Sequence, residues 1–253
     1  MRTAVISDIH SNLEALKAVL KDIEERGIEN IVCLGDVVGY NADPNECTAI
    51  VRRMKIPTIM GNHDVVACER EEPLGFNPIA FSAALWTREN LSEENKRFLA
   101  GLPAEFMLSG QILCVHGAPS DRDTYVFTVD EAEEQFEILH QRKIHICLFG
   151  HTHFPCIFCD GKLLTDGRCN HWSLDPNQYY MINPGSVGQP RDGDCRASYI
   201  ILDHFEGELG EAQRFNMPTV DFIRVEYDVK EAVEKIVERG LPQYNAERLL
   251  IGR

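Results

Sequence analysis

Five short segments of the chain pool Asp, Asn and His side chains and contain no cysteine. They are Asp8-Ile9-His10, Gly35-Asp36, Gly61-Asn62-His63-Asp64, His116-Gly117 and Gly150-His151-Thr152-His153. A mixed nitrogen and oxygen set suits Mn²⁺, Fe, Co²⁺, Ni²⁺ or Zn²⁺ better than it suits a structural thiolate zinc site. Residues two apart on an extended chain point the same way, so Asp8 and His10 can grip one ion or straddle two, as can His151 and His153. Asp36 follows Gly35, which lets the backbone turn sharply, and its carboxylate has two oxygens with which to bridge two cations.

These segments need elements to hold them together. Each follows an apolar stretch expected to be a strand: 2–7, 31–34, 56–60, 112–115 and 146–149. Between them, residues 11–26 space Leu13, Leu16, Val19, Leu20 and Ile23 as one helical face, with Ser11 and Glu14 in a capping-box pattern. Further helices are expected at about 45–54 and 129–142. Alternating strands and helices predict parallel strands with crossovers, and ligand sites form at the carboxyl ends of such strands. Residues 65–110 break the rhythm and read as a helical insertion, with helices near 78–90 and 92–100. Its Phe76, Asn77, Phe81 and Trp86 read either as a lid over the site or as ordinary packing. Beyond 154 the strands crowd together (154–159, 162–165, 179–182, 197–203 and 221–227), which favours a more antiparallel second sheet. A last helix is expected from Asp228, with Glu231 three residues on and Gly240 beyond its end. The whole chain, 1–253, reads as one domain.

Composition narrows the partners. The 253 residues carry 40 acidic and 25 basic side chains, a formal charge of −15, with 44% hydrophobic residues. That sign disfavours long nucleic acids and anionic lipid, so a small anionic substrate needs local cations. No apolar run reaches the ~18 residues of a membrane span. No signal-peptide pattern opens the sequence, so the expected compartment is the cytoplasm. Nine scattered cysteines read as free thiols.

The ordered set of five segments resembles the calcineurin-like metallophosphoesterase superfamily, whose order is Asp-x-His, Gly-Asp, Gly-Asn-His-Asp/Glu, a lone His, then Gly-His-x-His. The stretch from Asn183 to Arg191, Asn-Pro-Gly-Ser-Val-Gly-Gln-Pro-Arg, resembles the Asn-Pro-Gly-Ser turn of the small bacterial phosphodiesterase-like branch. The resemblance implies a four-layer α/β/β/α sandwich of two mixed sheets flanked by helices. It also implies two divalent ions, manganese first, with Fe, Ni, Co or Zn as alternatives. Asp8, His10 and His153 would hold one ion, Asn62, His116 and His151 the other, and Asp36 would bridge them. His63 would be the catalytic histidine, with Asp64 fixing its tautomer. The implied reaction is hydrolysis of a small phosphodiester or nucleotide, dinucleoside polyphosphates included, by a hydroxide between the ions. The alternatives are a phosphomonoesterase or protein phosphatase on the same core, or a non-catalytic scaffold. Arg191 and Ser186 are expected to touch substrate.

Other motifs carry less. Cys156-x-x-Cys159 and Cys169-Asn170-His171 invite a zinc reading, but Cys156 and Cys159, three apart on a strand, should face opposite sides. His140, His145 and His204 are assigned no role. Ser186 lies in no Gly-x-Ser-x-Gly elbow, and neither a P-loop nor a Gly-x-Gly-x-x-Gly fingerprint is present. The oligomeric state is not written in the sequence.

Overall fold

A computed structural model of the chain describes residues 1–167, 170–204 and 217–253. Apolar alternation along the strands decides its architecture. The elements run β1 (Arg2–Ile6), α1 (Leu13–Glu25), β2 (Asn30–Cys33), α2 (Pro44–Met54), α3 (Asn62–Ala67), α4 (Pro78–Asn90), α5 (Glu93–Ala100), β3 (Glu105–Ser109), β4 (Ile112–Val115) and α6 (Val129–Arg142). They continue β5 (Ile146–Leu148), β6 (Cys156–Cys159), β7 (Lys162–Thr165), β8 (His171–Ser173), β9 (Tyr180–Asn183), β10 (Ala197–Asp203), β11 (Thr219–Val225), α7 (Val229–Glu238) and α8 (Gln243–Ile251).

Among the described residues, one sheet has the order β2-β1-β10-β11-β8 and the other β3-β4-β5-β9-β6-β7. Only β1–β2, β4–β5 and β5–β9 pair parallel among these strands. Successive side chains point to opposite faces, so each strand feeds two interfaces. Val5, Val32, Ile200 and Leu202 of the first sheet meet Ile112, Cys114, Leu148 and Ile182 of the second. The other face of the first sheet presents Ala4, Ile6, Tyr199 and Ile201 to Leu16, Val19 and Ile23 of α1 and Val51 of α2. The outer face of the second presents Leu113, Cys147, Phe158 and Met181 to Phe136 and Leu139 of α6. The result is the expected four-layer α/β/β/α sandwich.

Several local expectations are corrected. The late strands do not form a sheet of their own: β10, β11 and β8 join β1 and β2, while β6, β7 and β9 join β4 and β5. The strand expected at 56–60 is a single parallel bridge, Cys33 to Thr58, beside β2. The insertion at 65–110 is not all helical, because β3 (Glu105–Ser109) pairs with β4. Asn12, not Ser11, caps α1, its Oδ1 accepting from the Ala15 amide at 3.1 Å. Ser11 is in the left-handed region at φ 58° and instead accepts from the Gly39 amide. The helix from Asp228 is not the last, since α8 packs Ala246 and Leu249 against Ile236 of α7.

Cys156 and Cys159 do fall on opposite faces of β6, one toward α6 and the other toward the inter-sheet core. Cys169 lies outside the described residues. His140 pairs with Asp160 at 3.0 Å, His145 stacks on Tyr179, and buried His204 bonds Thr3 Oγ1 at 3.1 Å.

Candidate metal centre

Strand ends and the loops beyond them build the site. Asp8 and His10 follow β1, Asp36 follows β2, His116 follows β4, and His151 and His153 follow β5. Asn62 and His63 open α3, so the third segment is the start of a helix. Backbone hydrogen bonds lace the loops: Asp8 N donates to Gly35 O, His10 N to Asp36 O, Gly150 N to His116 O and Gly188 N to Asp8 O.

The donors converge, but not along extended chain. Asp8, His10, Asp36, His151 and His153 all have φ between 47° and 65°. Left-handed backbone is uncommon outside glycine and costs energy, and it concentrates at functional sites. Tight turns, and not strand alternation, therefore bring Asp8 beside His10 and send His151 and His153 to different clusters. Two glycines make room. A Cβ on Gly61 would lie 2.0 Å from Asp36 Oδ1, and one on Gly150 would lie 2.1 Å from Ser7 Oγ.

The ligand atoms of three groups lie within 4.8 Å of one another: Asp8, His10 and His153; His10, Asp36 and His63; and Asp36, His116 and His151. Asp36 Oδ2 is 3.5 Å from His10 Nε2 and 3.4 Å from His116 Nε2, so it stands between two imidazole groups. Asn62 Oδ1 is 3.1 Å from His116 Nε2. Asp8 Oδ1 is 3.4 Å from His153 Nε2, while Asp8 Oδ2 accepts from Ser7 Oγ at 2.6 Å.

The imidazole tautomers follow from their outer partners. A carbonyl oxygen can only accept, so each ring nitrogen facing one carries the proton. His10 Nδ1 donates to Val38 O, His116 Nδ1 to Leu34 O and His153 Nδ1 to Gln189 O. Their Nε2 atoms thus point inward. His151 is reversed: Nε2 donates to Asp123 O, which leaves Nδ1 for the centre. Such outer bonds orient metal-binding histidines. One consequence is direct. His10 Nε2 and His153 Nε2 sit 3.1 Å apart, and in neutral rings both are lone-pair acceptors. Burial pushes both imidazoles well below the usual histidine range, so a shared proton is disfavoured. A divalent cation is the group this donor set fits.

The surrounding electrostatics agree. Burial pushes the Asp8 carboxyl up to about 7. Burial also opposes charge on Asp36, but the imidazoles of His116 and His63 prevail and hold it well below the carboxylate range. Burial would lower His116, yet the Asp36 charge prevails and raises it to about 9. His151 is pushed down to about 3, chiefly by burial.

His63 lies in the cleft wall against Tyr40 and Phe76, with ring centroids 4.4 and 4.8 Å away. Its Nδ1 has no hydrogen-bond partner, and burial pushes its pKa down to about 4. Asp64 does not fix its tautomer. The Asp64 carboxylate is spent on the amides of Gly61 and Val38, at 3.0 and 3.2 Å, which pins the start of α3 to the Asp36 loop. Ser186 also departs from expectation. It is fully buried, donates to Asp8 O and accepts from the Gln189 amide, so its hydroxyl holds the Asp8 turn instead of facing substrate. Arg191 does line the cleft. Its Nη2 bonds Tyr40 Oη at 3.3 Å and Gln189 Oε1 at 3.1 Å, and its Nε has no partner.

The cleft has a volume of roughly 320 Å³ and is lined by Asp36, Asn62, His63, His151, His153 and Arg191 together with Tyr40, Phe76 and Tyr125. That is the size of a small-molecule site. Tyr40, Phe76 and Tyr125 carry no motif of their own. In the sequence Phe76 stands out only as a lid candidate in the insertion, and Tyr40, four residues past Asp36 in the same loop, and Tyr125 are not singled out. In the insertion, Phe76 faces His63, Asn77 caps α4, Trp86 packs toward α7 and α8, and Phe81 is 43% exposed.

Comparison with known proteins places this site in context. The family model for the calcineurin-like phosphoesterase superfamily domain matches residues 1–207. An uncharacterized protein of Methanocaldococcus jannaschii is 40% identical over 256 residues, covering 99% of this chain and 98% of that one. The crystal structure of a metallophosphoesterase from Sphaerobacter thermophilus superposes with a TM-score of 0.82 at 34% identity, over 100% of both chains. A hypothetical protein of Pyrococcus horikoshii shares the fold, with a TM-score of 0.78 at 21% identity over 100% of this chain and 98% of that one. This chain therefore belongs to the calcineurin-like phosphoesterase superfamily.

Proposed function

We propose that the protein is a dinuclear metal-dependent phosphoesterase acting on a small phosphodiester or nucleotide, dinucleoside polyphosphates included. Asp8, His10 and His153 hold one divalent ion. Asn62, His116 and His151 hold a second, and Asp36 reaches both. The observation that carries this reading is the 3.1 Å approach of His10 Nε2 to His153 Nε2, with both Nδ1 protons already given to carbonyls. When bound, two such cations neutralise phosphate charge and make water a nucleophile near neutral pH. Manganese is the first metal to load, and the cytoplasm is the proposed compartment.

The chain's own residues do the rest. Arg191, whose guanidinium lines the cleft, binds a non-bridging phosphate oxygen. His63, a neutral imidazole because burial pushes its pKa down to about 4, offers its ring N–H as a hydrogen-bond donor to a phosphate oxygen. Ser186 and Asn183 are positioning residues. Ser186 ties the Asp8 carbonyl, and Asn183 Nδ2 donates to Gly150 O and Thr152 Oγ1 beside the two histidines.

Hydrolysis of bis(p-nitrophenyl) phosphate and p-nitrophenyl phosphate under Mn²⁺ tests the substrate class. The diester is expected to show the higher kcat/KM. A higher value for the monoester makes the protein a phosphomonoesterase. Elemental analysis should find two ions per chain. One ion, or no turnover with Mn, Fe, Co, Ni or Zn, removes the dinuclear enzyme.

A further inference from the structure

Tyr125 lines the cleft, and two further aromatic rings continue from it outside the cleft lining; the chemistry above leaves all three unused. Tyr125 lies nearly face to face with His151, ring centroids 3.9 Å apart and planes 27° apart. Phe127 runs parallel to Tyr125 at 5.4 Å, with only 8° between the planes. Phe154, the residue after His153, meets Phe127 edge-on at 5.8 Å. The three rings lead from a donor histidine out to solvent and are anchored at both ends to the donor loop.

Their exposure is what needs explaining. Tyr125 is 44% exposed, Phe127 49% and Phe154 38%. Scattered apolar side chains on a surface mean little, but exposed aromatic rings in a contacting row that starts from a cleft-lining tyrosine mark a binding surface. Phenylalanine offers a ring face and no polar handle, so the ledge suits a flat ring system more than a sugar or a peptide. A chain of charge −15 is also ill suited to an anionic membrane.

We propose that Tyr125, Phe127 and Phe154 form a stacking ledge for the nucleobase of a nucleotide ester whose phosphate sits over the donor cluster. The proposal rests on the phosphoesterase reading and adds the part of the substrate that the donors do not touch. Stacking accepts any base, since every base has a π face. The ledge therefore selects nucleotides over sugar phosphates without fixing which nucleotide.

The test is calorimetric binding to the Mn²⁺-loaded full chain of two non-hydrolysable ligands, adenosine 5′-methylenephosphonate and the same phosphonate on ribose without a base. The base-bearing ligand should bind about tenfold tighter or more, the usual scale for one base on an aromatic side chain. In Phe127→Ala that ratio should fall toward one, and in Phe127→Tyr it should persist. Phe127 is half exposed, so its truncation should spare the fold, and a thermal melt checks this. Equal affinities in the unaltered protein, or an unchanged ratio in both Phe127→Ala and Phe154→Ala, overturn the ledge and leave the phosphate site standing. Failure of both ligands to bind removes the phosphate site and the ledge together.

Discussion

The floor of the cleft and its rim are built on opposite terms. On the floor, Asp8, His10, Asp36 and His116 are all but sealed from solvent, and each inward imidazole nitrogen is fixed by a carbonyl bond on the far side of its ring. At the rim, Tyr125, Phe127 and Phe154 hold one another by ring contacts and stay close to half exposed. Rigid polar placement serves chemistry that tolerates little displacement. Exposed ring faces serve recognition that tolerates many partners. The floor is expected to govern whether any phosphate ester reacts, and the rim which one is chosen.

Three substitutions break that comparison in descending order. Asp36→Asn removes the carboxylate whose Oδ2 lies 3.5 Å from His10 Nε2 and 3.4 Å from His116 Nε2. It should lower metal affinity by more than the about 10–100-fold typical of losing an orienting partner, and abolish turnover of every ester alike. Elemental analysis and kinetics check this, and unchanged stoichiometry and rate would dismiss the bridging role. His63→Ala should lower kcat by about 10²–10³-fold, the value of one hydrogen-bond donor to the transition state, while two ions remain bound. Loss of an ion would make His63 a ligand, an alternative its place near His10 and Asp36 keeps chemically sensible. Arg191→Ala should raise KM by about tenfold or more, the value of one charged hydrogen bond, with metals intact. A neutral result would demote the loop from Asn183 to Arg191 to a connection.

The same contrast governs what could be read from the sequence. That the Asp, Asn and His side chains of the five segments gather in one place was legible, because the chemistry they suggest dictates residue types. The helix Val129–Arg142 and the start at Asp228 were legible too, since local spacing and caps decide them. Sheet membership was not, because pairing of β10 with β1 depends on partners some 200 residues apart. The bridge at Thr58 misled for a related reason, since an apolar run at a sheet edge looks like a strand whether or not a ladder forms. Asp64 and Ser186 were misread in a different way. Polar residues inside a motif invite a role toward ligand, yet both spend their oxygens on backbone amides and a carbonyl of neighbouring turns. The ledge had no signature, because Tyr125 and Phe127 acquire meaning only when the β5 loop brings His151 and Phe154 beside them.

All seven proposed donors lie within the first 153 residues, yet the strands that carry them are finished by chain made later. β1 lies between β2 and β10, and β5 between β4 and β9. A nascent chain emerging from the ribosome only as far as His153 would hold every donor and still leave β1 and β5 each with an open edge. The fold cannot close until residue 203 has been synthesised, so cation capture should be a late event in the life of the polypeptide, and a fragment cut to the motifs alone should not bind.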